Sequence, residues 1–256
     1  MRASLRVMFV AWMLTLPAAL AAAAEVQVLA PGGAAPGVRA LASEYNKQGG
    51  AQIVVSSIRP AFVRQKIFAG EQYDVVVQAI SAMAEAEKAG FLQAGSRTEL
   101  ARGGIGVIVR KGAPVPDVST VEGFRRAMLA ANKVIVGEIA QANGAGPAIL
   151  RILEGAGVLG AVKPKWQEAD IGPGNELIAK GEADIGLFNL VAVPYEVGVV
   201  LAGPVPQPLQ LYTSYEGAVL AKAASPDAGA AFVRFMASDQ ARGIWTAKLF
   251  EPLPAR

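Results

Sequence analysis

The chain contains neither cysteine nor histidine. Without cysteine there is no disulfide, no thiolate nucleophile and no thiolate zinc site. There is also no amino-terminal cysteine to carry a lipid, so the sequence predicts a soluble product. Without histidine, Ser-His-Asp and Cys-His catalysis are excluded, as are His-ligated metals. Carboxylate pairs and Ser-Lys arrangements pass that filter, but no paired acids stand at active-site spacing. Beyond Val7–Leu20 no apolar run approaches the roughly 20 residues that a membrane-spanning helix needs. Charge of one sign is scarce too: 24 basic residues face 21 acidic ones, which makes no nucleic-acid footprint.

What is present begins with a leader. Arg2 and Arg6 form a basic end, Val7–Leu20 an apolar stretch, and Ala22–Ala24 a small-residue cleavage site. Pro17 and the alanine run favour cleavage over a retained anchor. Residues 1–24 are therefore read as a signal peptide, cleaved near Ala24, and the mature chain is expected outside the cytoplasm. Removing them takes away two arginines and no acid, lowering the net charge from +3 to about +1.

Behind the leader, strand-like and helix-like segments alternate, the pattern of an α/β fold with a largely parallel sheet. Val26–Ala30 is a strand that ends in Pro31-Gly32-Gly33, and a helix can begin at Ala34 or Ala35. Such a junction leaves free backbone N–H groups where an anion can sit, so Gly33 and Ala34 are candidate contacts. Gln52–Ser56, Tyr73–Gln78, Gly103–Arg110, Lys133–Gly137 and Ala183–Asn189 read as further strands, and Leu209–Leu220 as extended. Ala61–Ala69, Ile80–Ala89, Val121–Ala131, Pro147–Glu154, Glu176–Lys180, Pro226–Met236 and Gln240–Lys248 read as helices. Composition shifts near 105–116 and 200–210, as two crossings between lobes would require.

Four stretches make the sequence resemble the periplasmic molybdate-binding protein family, among the bacterial extracellular solute-binding proteins. They are VLAPGGAAPGVRALASEYNKQGG, RQKIFAGEQYDVVVQAI, IVGEIAQANGAGPAILRILEGAG, and the pair GEADIGLFN and PDAGAAFVRFMASDQA. The resemblance implies a two-lobed type II periplasmic-binding fold, hinged, with the ligand in the interlobe cleft. Residues 25–105 and 206–256 would form lobe 1, and residues 106–205 lobe 2. It further implies a periplasmic monomer that hands a small anion to an ABC importer, with no cofactor, no metal and no catalysis. A sensor domain presenting its ligand to a membrane receptor would share these features. A Lys- or carboxylate-dependent enzyme is the other alternative.

Members of that family grip an oxyanion with hydroxyls, backbone N–H groups and a tyrosine. The first serine falls at Gly33, and the serine-rich second loop at Arg59-Pro60-Ala61, neither with a hydroxyl. Backbone donors fall near Ala145 and at Ile171, and the tyrosine falls at Asn189. Three side-chain donors are thus replaced while the backbone frame is kept. Each buried oxygen left unmet costs about 1–3 kcal/mol, which weighs against tight molybdate binding. Arg59 offers a guanidinium fork that suits a carboxylate; its other role would be a rim residue paired with an acid. Phe62 and Tyr215 are aromatic candidates for the cleft lining, and Gln78 ends a strand at the sheet edge where open α/β folds bind ligands.

Overall fold

The computed structural model describes residues 25–137, 145–192 and 198–253. The leader lies outside them, as do Asn143 and Gly144 of the middle loop. Three strands open the chain: β1 (Glu25–Pro31), β2 (Gln52–Ile58) and β3 (Val75–Ala79), with β1 in the middle and all parallel. Between and after them come α1 (Ala35–Lys47), α2 (Pro60–Phe68) and α3 (Ile80–Lys88). Val26, Val28, Leu29 and Ala30 are fully buried on both faces of β1, so this strand must be covered by helices on each side.

β4 (Thr98–Arg110) is the element that joins the two halves of the molecule. Its first part pairs antiparallel with β9 (Tyr212–Val219) and β10 (Phe250–Pro252), which complete the first half. Its second part pairs with β7 (Ile185–Asn189) and β8 (Val199–Pro204) in the other half. There β5 (Val134–Val136) lies between β7 and β6 (Trp166–Glu168), parallel to both. The second half also holds α4 (Val121–Ala130), α5 (Gly146–Gly155), α6 (Leu159–Val162) and α7 (Ile171–Ala179). The chain then returns to the first half through β9, α8 (Pro226–Met236) and α9 (Asp239–Ala247).

Each half has an apolar core on both faces of its sheet. In the first, Val26, Val38, Phe232 and Trp245 fill one face, and Leu29, Val63 and Met83 the other. In the second, Phe124, Met128, Ile149 and Ile152 pack on one side, and Ile108, Ile135, Ile178 and Phe188 on the other. Fully burying a side chain of this size contributes about 1.5–3 kcal/mol. α9 is locked down through Trp245, whose Nε1 donates to the Met236 carbonyl at 2.8 Å. Its ring lies so close to α1 that a Cβ on Gly37 would stand 2.3 Å from it.

Several expectations are corrected. The sheet is mixed rather than largely parallel, because β4 leads out of the first half and β9 leads back, each antiparallel to its neighbours. β4 begins at Thr98, five residues before the apolar run at Gly103, since its polar early residues pair along β9. α7 starts at Ile171 rather than Glu176. Gly172, Pro173 and Gly174 look like helix breakers, yet they form its first turn, and a Cβ on Gly174 would meet Phe188 at 2.5 Å. The short β6, β10 and α6 carry too few residues to show a period, and β8 lies where the composition shifts near 200–210.

Where β4 passes between the halves, one polar side chain fastens it. Gln210 is buried. Its Oε1 accepts from the Ile105 N–H at 2.8 Å, and its Nε2 donates to the Ile105 carbonyl at 2.9 Å and the Val205 carbonyl at 3.2 Å. The amide thus pairs with Ile105 as a neighbouring strand would. Gly104 makes room for it, since a Cβ there would lie 3.0 Å from the amide.

Candidate functional site

The carboxyl ends of the parallel strands carry the candidate residues. β1 and β2 are in register from Glu25–Gln52 to Pro31–Ile58, and the Gly32 N–H donates to the Ile58 carbonyl at 3.0 Å. The start of α1 therefore lies beside the start of α2, which brings Gly33 and Ala34 near Arg59 and Ala61. Neither helix start is capped by a side chain: Ala34 has none to offer, and Arg59 makes no cap bond. Helix starts without caps leave N–H groups for another acceptor, but the expected Ala34 contact is corrected: Ala34 is buried and its N–H donates to the Pro31 carbonyl at 2.9 Å, closing the turn before α1.

Two contacts cross from this edge to the second half. Asn189, at the end of β7, donates from Nδ2 to the Tyr215 hydroxyl on β9 at 3.1 Å, and both side chains are buried. The Asn189 Oδ1 accepts from the Val191 N–H at 3.3 Å, which fixes the amide orientation. Burial pushes the Tyr215 hydroxyl well above the usual tyrosine range, against the opposing pull of the Asn189 bond. The phenol is therefore neutral at physiological pH and keeps its proton for donation.

Gly33 lies against this pair. A Cβ there would stand 2.5 Å from the Tyr215 hydroxyl oxygen and 3.5 Å from Asn189 Nδ2. The missing side chain at 33 and the tyrosine at 215 are thus one feature, because the phenol fills the space a serine would take. Gly33→Ser is accordingly expected to cost about 1–3 kcal/mol by overpacking, read as a lower urea midpoint. It should also bring no molybdate affinity, read by calorimetry.

The second contact is an ion pair. Arg59, the residue before α2, places Nη1 3.7 Å from Oδ2 of Asp170, the residue before α7. The Arg59 guanidinium also lies over the Phe62 ring at 4.8 Å from its centroid, and Phe62 is exposed. Ile171 and Gly172 follow Asp170 as the first turn of α7, so their N–H groups sit beside the same ion pair. Ala145 precedes α5 with no side-chain cap. It packs beside Gly137 at the end of β5, where a Gly137 Cβ would be 3.8 Å from the Ala145 Cβ. Gln78 is buried at the end of β3 and accepts the Ala79 N–H through Oε1 at 2.9 Å.

The structure thus brings Gly33 and Asn189 to Tyr215, and Arg59 to Asp170, the residue before Ile171; Ala34 and Ala61 enter only as their chain neighbours at the starts of α1 and α2. Ala145 stands on the same sheet edge of the second half. Asp170 is missing from the sequence-based set; its signal was an Asp immediately before a turn carrying two glycines, a position that favours helix caps. Among the described residues, no group of three or more acidic side chains could hold a metal ion. No helix among them is long and apolar enough to cross a membrane.

Known proteins resemble this chain in sequence and in fold. The model of the family described as bacterial extracellular solute-binding protein matches residues 26–251. An aconitate isomerase of Pseudomonas sp is 28% identical over 236 residues, which covers 90% of this chain and 88% of that protein. The Azotobacter vinelandii periplasmic molybdate-binding protein superposes with a TM-score of 0.73 at 21% identity, covering 90% of this chain and 99% of the other. The sulfate-binding protein SubI of Mycobacterium tuberculosis gives 0.70 at 18%, covering 90% and 87%. PEB3 with L-phospholactate bound gives 0.68 at 16%, covering 88% and 99%. With the family match running over nearly all of its described length, the chain belongs to the bacterial extracellular solute-binding proteins and has their two-lobed type II periplasmic-binding fold.

Proposed function

We propose that the chain captures a small carboxylate-bearing organic acid between its two lobes in the periplasm. On this reading it then delivers the acid to an ABC-type importer, as a monomer and without catalysis. Residues 25–105 and 206–256 act as one lobe and residues 106–205 as the other. The observation that carries the reading is Arg59, a guanidinium at one helix start that faces the α7 start of the opposite lobe. A planar fork takes a carboxylate through two charge-assisted bonds, while Gly33, Ala61, Ala145 and Ile171 supply backbone N–H groups. Asn189 and Tyr215 complete the donor set. A molybdate-like oxyanion is the weaker form of this reading, because Gly33 and Ala61 offer no hydroxyl. The similarity to an aconitate isomerase, named for a tricarboxylate, and the phospholactate in the PEB3 structure both support an organic acid.

A thermal-shift panel tests this. Its members are citrate, trans-aconitate, succinate, lactate, phosphate, sulfate, tungstate and molybdate. A ligand at 100 times its dissociation constant adds about 2.7 kcal/mol of stability, a shift of several degrees. The expected response is to one or more carboxylates, and a response to molybdate or sulfate alone would overturn the reading.

The 28% identity to aconitate isomerase favours one second reading, in which the chain isomerises such an acid rather than carrying it. Proton NMR of trans-aconitate incubated with the protein separates the two. Appearance of the cis isomer faster than in buffer establishes the enzyme, and binding without interconversion establishes the carrier.

A further inference from the structure

The pairing of Arg59 with Asp170 bears on how a ligand gains the guanidinium, and this inference rests on the carboxylate reading above. We propose that the Asp170 carboxylate is a built-in competitor for Arg59, and that an entering ligand carboxylate displaces it.

Three features of the pair carry this. First, Asp170 occupies the position before α7 at which an Asp normally accepts from its own helix. Its side chain makes no such bond, although Thr120 does so at the start of α4, accepting from the Gly123 N–H at 3.0 Å. The Asp170 carboxylate is instead directed at the guanidinium of the other half. Second, the Nη1–Oδ2 separation of 3.7 Å is an ion pair without a hydrogen bond. The acid therefore neutralises the fork without saturating its donors. Third, the two side chains are 55% and 44% exposed, so an exchange requires no unpacking of either core. Phe62 keeps the guanidinium in place beneath the exchange.

The displaced carboxylate has somewhere to go. The Gly172 N–H stands at the second position of α7, where a residue at 170 can take up the cap bond that it lacks. The third position is Pro173, which has no N–H. Exchange therefore trades one interaction of Asp170 for another, while the ligand gains both Arg59 and the N–H groups beside it. A group that pairs with a guanidinium less well than a carboxylate does will not displace Asp170, so the acid sets a threshold for what the cleft retains. No covalent bond changes.

The test is a double-mutant cycle read by NMR titration, which reaches millimolar dissociation constants. The probe is whichever of citrate, trans-aconitate and succinate binds the wild type most tightly, and urea unfolding checks that each variant is folded. Asp170→Asn is expected to tighten the probe about two- to fivefold, the range of a half-exposed ion pair. In an Arg59→Gln background the same change should tighten it less than about 1.5-fold. Equal tightening in both backgrounds would mean simple charge repulsion and overturn the proposal. No change, or weaker binding, would do so as well, the latter making Asp170 a ligand contact. If none of the three binds the wild type, lactate takes their place as the probe; a wild type that binds none of the four overturns the carboxylate reading and this inference with it, whereas a wild type that binds while Asp170→Asn changes nothing overturns the inference alone.

Discussion

Replacing Arg59 with alanine is expected to weaken the binding of the preferred carboxylate by about thirtyfold to several hundredfold. Hydrogen bonds to a charged group contribute about 1.5–3 kcal/mol each, and two from one fork would exceed this range if fully buried. The Arg59 side chain is 55% exposed, so water recovers part of that loss, leaving about 2–3.5 kcal/mol. Arg59→Lys keeps the charge but not the planar pair of donors, and should fall between alanine and wild type. Isothermal titration at one fixed salt concentration reads all three, because exposed charge pairs weaken as salt rises. Global stability should change by less than about 1 kcal/mol, since the ion pair that Arg59 makes among the described residues is half-exposed. An unchanged dissociation constant for Arg59→Ala would remove this residue from the site and with it the main support for an organic acid.

Much of the architecture was legible because its strands are buried on both faces. Val75–Val77 is apolar without interruption and must lie inside a covered sheet, and Pro226–Met236 has the apolar spacing that its buried Phe232, Val233 and Met236 use. The glycine turns and the alternation of elements carried the rest of the fold class. The direction of the central strands was not legible. Whether β9 runs with or against β3 depends on where the chain returns from the second half, and residues 209–220 carry no trace of that. At the site, positions that act through the backbone could be placed by order along the chain, since any residue but proline supplies an N–H. Of the side chains that reach across the cleft, Arg59, Asn189 and Tyr215 were legible as candidates, but not their partners. Tyr215 reads only as an aromatic candidate for the cleft lining, and its contact with Gly33 and Asn189 joins segments far apart in the sequence. Asp170 reads as a helix cap, and its turn towards Arg59 is a property of two helices far apart in sequence.

Gln210 is the sharpest case of a residue invisible in the sequence, and its loss should be the most damaging to the fold. Gln210→Leu keeps a side chain of similar size, so the change isolates the amide. The Ile105 N–H then loses its acceptor inside the crossing strand, while the Ile105 carbonyl keeps the Val205 N–H at 3.0 Å. One orphaned buried donor costs about 1–3 kcal/mol, and each bond given up by Nε2 adds about 1 kcal/mol at most. The expected loss is about 2–4 kcal/mol in urea unfolding, with the far-UV spectrum unchanged below the transition. Gln210→Glu separates the two roles of the amide. It retains an acceptor for the Ile105 N–H, but an ionised carboxylate would face the carbonyls of Ile105 and Val205, which the native Nε2 satisfies by donation. The protonated acid can donate to one of them, so the folded state raises the pKa of this glutamate above its ordinary value near 4.3. A group whose folded pKa is raised stabilises the fold below its unfolded pKa and loses that contribution as pH rises through the folded one. The Glu variant should therefore approach wild-type stability near pH 4 and lose ground towards pH 7, relative to wild type at each pH. A Glu variant with a pH-independent deficit would show that the amide nitrogen contributes little, and that the crossing is held by the strand pairing alone.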